Sequence, residues 1–186
     1  MTNKPRVLIP VALALASLGS AASATVVNQA ISEAEVLQAQ KAWCKALVDI
    51  SQTHATSGQA AAKALAEKVI DGAYGYQMGA VLFKPTLTVA PQTFRTTRAG
   101  ALAYFVGGDA AFPKDTGFAL KGWTQCESKN AAVFISGDSA TTMGNVMITD
   151  KSGKVTTVDK TWKFVKDDAG KLRIVVHHSS LPYTAS

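Results

Sequence analysis

Hydrophobic positions along this chain change their period once, near its middle. In the first part Val36, Trp43, Leu47 and Ile50 recur at near-helical spacing, which lays an apolar stripe along one side of a helix. Ser32-Glu33-Ala34-Glu35 stands just ahead of that stripe. A serine followed three residues later by glutamate is a capping box, and the acidic side chains suit the positive start of a helix. The polar run 52–58 ends this element, and an alanine-rich second helix is predicted over 59–70, stopping at Asp71-Gly72. Tyr74-Gly75-Tyr76-Gln77-Met78-Gly79 is free to bend at its glycines and aromatic between them. Val81-Leu82-Phe83 then reads as a short strand closed by Lys84-Pro85-Thr86, and 93–106 as a third helix with Leu102, Phe105 and Val106 on its apolar side and Gly107-Gly108 as its stop.

From Gly117 onward the period falls to two. Strands are predicted over 118–127, 131–136, 140–149, 155–165 and 172–179, with turn signals at Gly137-Asp138, Asp150-Lys151-Ser152-Gly153 and Asp167-Asp168-Ala169-Gly170. Helices first and a meander of strands last predict an α+β fold, with N-terminal helices packed on one face of a curved antiparallel sheet. Such a sheet, covered on one side, forms a cone with a pocket that is mostly apolar and carries a few convergent polar groups. The last strand is a source for those groups. Behind the anchor Ile174-Val175-Val176 come His177, His178, Ser179 and Ser180, and alternation sends His177 and Ser179 to one face, His178 and Ser180 to the other. A strand that simply surfaces before Pro182 would show the same residues, solvated.

Composition narrows the class. Lys4 and Arg6, the apolar run 7–18 and the small residues Ala22-Ser23-Ala24 have the layout of a secretory signal whose core is too short to span a membrane. The expectation is a signal peptide over 1–24 and one exported domain over 25–186, in the bacterial periplasm and without a membrane anchor after cleavage. Without Lys4 and Arg6 the 19 basic residues fall to 17 against 13 acidic ones, a net charge of +4. The basic residues form no dense cluster with interleaved aromatics, so nucleic acid is not an expected partner. Cys44 and Cys126 are the only cysteines. One disulfide and two buried thiols are both open on the sequence, and no cysteine or histidine spacing marks a zinc site.

Several stretches together resemble one family. Val81-Leu82-Phe83-Lys84-Pro85-Thr86, Phe94-Arg95-Thr96, Tyr104-Phe105-Val106-Gly107-Gly108, Gly117-Phe118-Ala119-Leu120, Met143-Gly144-Asn145 and His177-His178-Ser179-Ser180-Leu181-Pro182-Tyr183 are similar, in the same order, to the iota-class carbonic anhydrases. The likeness runs from about Trp43 to Tyr183. It implies a cone-shaped fold like that of nuclear transport factor 2 (NTF2-like) and of the calmodulin-dependent kinase II association domain. It implies reversible hydration of carbon dioxide to bicarbonate and a proton, a homodimer, and a reaction that runs without a metal. By the match of motifs Thr86, Tyr104 and Ser179 contact bicarbonate and His177 shares their pocket, with Arg95 and Ser180 as further substrate-binding candidates. Where Lys160 stands an aromatic residue was the expectation.

The chemistry can be weighed against a metal. Zinc, or manganese in its place, would make hydroxide near neutral pH by lowering the pKa of bound water to about 7. Zinc in that role takes three protein ligands, and the three histidines, His54, His177 and His178, cannot easily converge because neighbouring strand residues diverge. Without a metal, hydroxyls of Thr86, Tyr104 and Ser179 can stabilise charge developing on the substrate oxygens, at about 3 kcal/mol per preorganised donor. His177, with an imidazole titrating near 6.5, is the candidate to take the proton of the attacking water. The alternative is a non-catalytic NTF2-like module for ligand binding or oligomerisation, since one fold hosts many functions. An isomerase or polyketide cyclase on this fold would want a carboxylate base, and residues 76–97 contain none.

Overall fold

A computed structural model describes residues 29–185 of the chain; the predicted signal peptide over 1–24 lies outside the described residues. The first helix, α1, spans Glu33–Ala73 and is broken at Gly58, whose φ of 79° no helix can hold. The two predicted helices are therefore two arms of one element. The polar stretch 52–57 continues the first arm instead of ending it, because only Gly58 leaves helical geometry. At the start the predicted capping box is present: Ser32 Oγ accepts from the Glu35 amide, and Glu35 Oε2 accepts from the Ser32 amide at 2.8 Å. Lys166 adds an ion pair to Glu35 at 2.9 Å.

Strand β1 is Leu82–Lys84, and helix α2 is Arg98–Val106, which starts later than the sequence pattern predicts. The segment before α2 is held extended by the Arg95 amide, which donates to the Phe83 carbonyl at 2.8 Å. Thr97 then caps the helix, accepting from the Gly100 amide. Gly107 ends it at a φ of 64°, a conformation glycine adopts at low cost.

A 3₁₀ turn at Phe118–Leu120 precedes the meander β2 (Trp123–Ser136), β3 (Ser139–Asp150), β4 (Val155–Lys166) and β5 (Leu172–Ser180). Two predicted strands over 118–127 and 131–136 are thus one long strand after the turn, its register shifting between Trp123 and Gln125 and at a bulge between Asn130 and Ala132. The sheet order is β1-β5-β4-β3-β2. The meander is antiparallel, and β1 adds at the edge parallel to β5, with Phe83 opposite His177. The sheet is open, not closed on itself.

The helices cover the inner face. Val158, Trp162 and Phe164 of β4, Ala140, Val146 and Ile148 of β3, and Ile174 of β5 point into a core with Val36, Trp43, Leu47, Ile50, Ala66 and Ile70 of α1. A buried polar cluster registers α1 against the β2 bulge: Gln40 Nε2 donates to Asn130 Oδ1 at 2.9 Å and to Thr142 Oγ1 at 3.1 Å, and Asn130 Nδ2 donates back to Gln40 Oε1 at 2.8 Å. At the same place a Cβ on Gly144 would sit 2.2 Å from the Lys129 carbonyl oxygen, so only glycine lets β2 approach β3 this closely. Nearby, Cys44 and Cys126 form a disulfide, Cα to Cα 5.1 Å, tying α1 to β2. That resolves the alternative the sequence leaves open.

Candidate active site

The parallel seam between β1 and β5 builds the site. Pairing Lys84 with His178 carries the chain just beyond β1, Pro85-Thr86, alongside Ser179. Thr86 Oγ1 donates to Ser179 Oγ at 2.6 Å, and Lys84 Nζ donates to the Ser179 carbonyl at 3.1 Å. On the other side of β5, β4 places Lys160 opposite Ser179 and Trp162 opposite His177. Helix α2 delivers Tyr104 from above, its ring edge-on to Phe83 and stacked on Phe118.

One cavity is lined by Thr86, Tyr104, His177 and Ser179 together with Lys160 and the apolar groups Trp43, Phe83, Pro85, Phe105, Phe118, Ile148 and Val158. Water-sized spheres fit with their centres in about 10 Å³, roughly the space of one water molecule. Hydroxyls and an amine therefore converge in a small, aromatic-rich chamber that has no room for a large substrate. Burial pushes the Tyr104 phenol above its ordinary value, against the smaller opposing pull of the nearby Leu87 and Thr86 amides. It stays a neutral donor.

His177 is 2 % exposed and engaged at both ring nitrogens. Nδ1 lies 2.8 Å from the Tyr74 hydroxyl, which also accepts from Trp43 Nε1 at 2.9 Å, and Nε2 lies 2.6 Å from Lys160 Nζ. Phe83 stacks on the imidazole with centroids 4.3 Å apart. Burial, and after it the nearby Lys160 and His178, hold the His177 pKa well below 6.5, so the ring is neutral. Lys160 is 5 % exposed, its ammonium position 4.9 Å from the Trp43 ring centroid and 5.4 Å from that of Trp162. Burial alone lowers its pKa from 10.5 to about 7, a large drop because no carboxylate stands beside it to hold the charge.

Two further sequence candidates lie elsewhere. Arg95 is buried, but its guanidinium makes a two-pronged ion pair with Asp115, with contacts of 2.8 Å, and donates to the carbonyls of Gln92 and Phe94. It lines a different hollow with Val89, Gln92 and Ala111. Ser180 stands on the opposite face of β5 from Ser179, across from Asp159, and His178 beside it is exposed. Neither Arg95 nor Ser180 lines the cavity of Thr86 and Ser179.

From the sequence, neither Lys160 nor Tyr74 has a predicted role in the site. The signal for Lys160 is nonetheless there. It occupies an inward position of β4, between Val158 and Trp162 in the period of two, and a lysine on the buried side of a strand is almost never there without a purpose. Tyr74 ends α1 and bridges to Ile174; nothing in its local sequence marks it as the partner of a histidine 103 residues away.

Comparison with known proteins gives the family. A family model described as metal-independent carbonic anhydrase matches residues 34–181. A metal-independent carbonic anhydrase from Nostoc sp. (strain PCC 7120 / SAG 25.82 / UTEX 2576) is 72 % identical over 158 residues, 85 % of this chain and 77 % of that protein. The crystal structure of an iota-carbonic anhydrase from a cyanobacterium, complexed with bicarbonate, superposes with a TM-score of 0.85 at 70 % identity, covering 88 % of this chain and all of that one. An NTF2-like protein of unknown function from Pseudomonas putida KT2440 shares the fold at a TM-score of 0.51 and 13 % identity, covering 82 % of this chain and 87 % of that one. Among the described residues no group of three or more His, Cys, Asp or Glu could hold a metal ion. The match over residues 34–181, the 72 % identical relative and the superposed bicarbonate-bound structure place this chain in the family of metal-independent, iota-class carbonic anhydrases.

Proposed function

We propose that carbon dioxide is hydrated in the cavity between β1, α2, β4 and β5, with Ser179 and Tyr104 as the donors that hold the oxygens of substrate and product and Thr86 as the group that orients Ser179. The observation that carries this reading is the 2.6 Å bond from Thr86 to Ser179. Thr86 spends its proton on Ser179 Oγ, which leaves the Ser179 O–H free to donate to a substrate oxygen. The Tyr104 phenol, kept protonated by burial, is a second donor. As a water attacks the carbon, charge grows on the two carbonyl oxygens, and donors already aimed into the chamber stabilise it without reorganising. The aromatic lining excludes bulk water, so each donor is stronger than it would be in solvent. His177 cannot take the proton as directly as the sequence suggests, because both its nitrogens are already bonded.

The test is stopped-flow carbon dioxide hydration by the purified protein before and after exhaustive chelation. Undiminished turnover after chelation, with Thr86→Ala, Ser179→Ala and Tyr104→Phe each slowed while remaining folded, is the expected result. Wild-type rates in all three variants would sink the pocket assignment.

The same reading extends to context. The protein is an exported, periplasmic enzyme: the layout of residues 1–24 and the Cys44–Cys126 disulfide both suit an oxidising compartment. An intact Met1 on protein recovered from a cell would overturn that, and an N-terminus at Thr25 is expected by mass spectrometry. It works as a homodimer through the outer face of the sheet, where Leu82, Phe134 and Met143 are all more than 60 % exposed. A monomeric mass by light scattering would reject the dimer.

A further inference from the structure

We propose that Lys160 is the general base of the hydration step, a neutral amine that takes the proton of the attacking water and holds it as the counter-charge of the bicarbonate formed. This rests on the pocket reading above. Three geometric facts point to it. Lys160 lies directly across the β4–β5 ladder from Ser179, so the two side chains share one face and stand as cross-strand neighbours. Lys160 lines the same cavity as the three hydroxyls. Its only hydrogen-bond partner among the described residues is His177 Nε2, at 2.6 Å.

That partner sets the direction of the amine. A base at Lys160 requires the tautomer in which the Nδ1–H of the neutral imidazole is donated to the Tyr74 oxygen and Nε2 accepts; the opposite tautomer, with the Tyr74 O–H donating to Nδ1, would turn an Nε2–H onto the amine. In the first, Nε2 fastens one Lys160 N–H and leaves the nitrogen lone pair for the cavity. In that tautomer His177 is a positioning residue.

The electrostatic surroundings keep the amine near the neutral point. His177 on β5 and Tyr104 on α2 line the cavity with Lys160; Tyr74 at the end of α1 stands behind His177, Lys84 on β1 donates to the Ser179 carbonyl, and His178 is exposed on the other face of β5. None carries negative charge. The nearest carboxylate with an influence on the site is Asp115, felt at Tyr104 and locked to Arg95. Burial lowers Lys160 to about 7, while His177 is held well below its usual range and the two tyrosines above theirs.

The step balances as follows. An O–H bond of water breaks and its proton goes to Lys160 Nζ. The oxygen forms a bond to the carbon of carbon dioxide, and one C=O electron pair moves onto oxygen, met by Ser179 and Tyr104. In the reverse direction the Lys160 ammonium returns the proton to the hydroxyl of bicarbonate as the C–O bond breaks. A protein that must neither charge a base in advance nor bury an unpaired anion needs a group of this kind. A base matched to neutral pH contributes about 100-fold to 10,000-fold.

The sign follows from the direction of transfer. Hydration needs the free amine, so kcat/KM for carbon dioxide rises with pH through about 7. Dehydration needs the ammonium, so kcat/KM for bicarbonate falls with pH through the same value.

The experiment combines kinetics with a direct reading of the amine. In protein labelled with ¹³C at the lysine ε carbon, one resonance, absent from Lys160→Arg, is expected to titrate near 7. Lys160→Met and Lys160→Arg are expected to lose at least about 100-fold in hydration and the pH dependence around neutrality. Arginine keeps the positive charge and cannot act as the base, so its failure separates proton transfer from charge. If Lys160→Met does not fold by circular dichroism, Lys160→Arg and the wild-type titration decide. A Lys160 resonance that titrates near 10.5, or a wild-type pH profile in either folded variant, overturns the proposal. Slow Thr86→Ala and Ser179→Ala beside unimpaired Lys160 variants would remove the base while leaving the pocket intact; wild-type rates in all would remove both.

Discussion

Thr86 and Ser179 are joined by a 2.6 Å hydrogen bond, and that bond makes a quantitative prediction about their joint loss. If each hydroxyl served the substrate separately, each alanine substitution would remove one oxyanion donor, about 100-fold in turnover or about 2.7 kcal/mol. The double variant would then fall by about 10,000-fold. The proposed arrangement predicts otherwise. Thr86 donates to Ser179, and in the proposed site Ser179 donates onward, so the pair would present a single proton to the cavity. Ser179→Ala removes that donor outright. Thr86→Ala leaves it in place but frees its oxygen, so the Ser179 side chain can rotate away from the substrate. Once either is gone the other has little left to lose. The expected outcome is about a 100-fold drop for Ser179→Ala, a drop of the same order or smaller for Thr86→Ala, and a double variant no worse than a few hundred-fold. The coupling between them is therefore about 2 kcal/mol, within the range of contacting residues in one network. Stopped-flow hydration rates for the four proteins measure it, with circular dichroism confirming that each is folded. A double variant near 10,000-fold, the product of independent effects, would refute the single-proton account.

Three further outcomes follow from the packing. Replacing Cys44 and Cys126 together by alanine opens a bridge spanning 82 residues and should lower stability by about 4 kcal/mol on loop entropy; urea unfolding with an unmoved midpoint would contradict that. Gly144→Ala forces a carbon to 2.2 Å from the Lys129 carbonyl oxygen and should cost about 3 kcal/mol, read as a fall in Tm, while an unchanged Tm would mean the β2 bulge yields freely. The Ser32 amide, and after it Lys166, hold the Glu35 carboxyl down to about 2. Because the folded pKa is the lower one, the stabilisation is fully present above about 4.5 and disappears as pH falls toward 2. Glu35 is partly exposed, so Glu35→Gln should cost only about 1 kcal/mol at pH 7; a difference from wild type that persists unchanged at pH 2 in denaturant titrations would refute the linkage.

The period of two from Gly117 onward made the meander legible, and the same period put His177 and Ser179 on one face before any coordinates. Local chemistry also marked the Ser32 cap and the Gly107 stop. What stayed hidden depends on long-range pairing. Nothing near Leu82 says that β1 will run parallel to β5, and that pairing is what carries Thr86 to Ser179. The bulge at Asn130 fuses two apparent strands because β3 offers Gly144 there, a fact about the neighbour and not about residues 128–131. Arg95 looked like an anion ligand because its partner, Asp115, lies 20 residues away on a segment with no regular pattern. Lys160 was visible as a break in an apolar alternation, but its meaning required the histidine across the ladder.

The two hydroxyls at the centre of this molecule belong to segments 93 residues apart, and three long strands must be laid down between them. Helix formation alone cannot bring them together. Regained catalysis in a refolding chain should therefore lag behind its early spectroscopic changes and keep time with the last seam to close, making the enzyme a clock for completion of its own sheet.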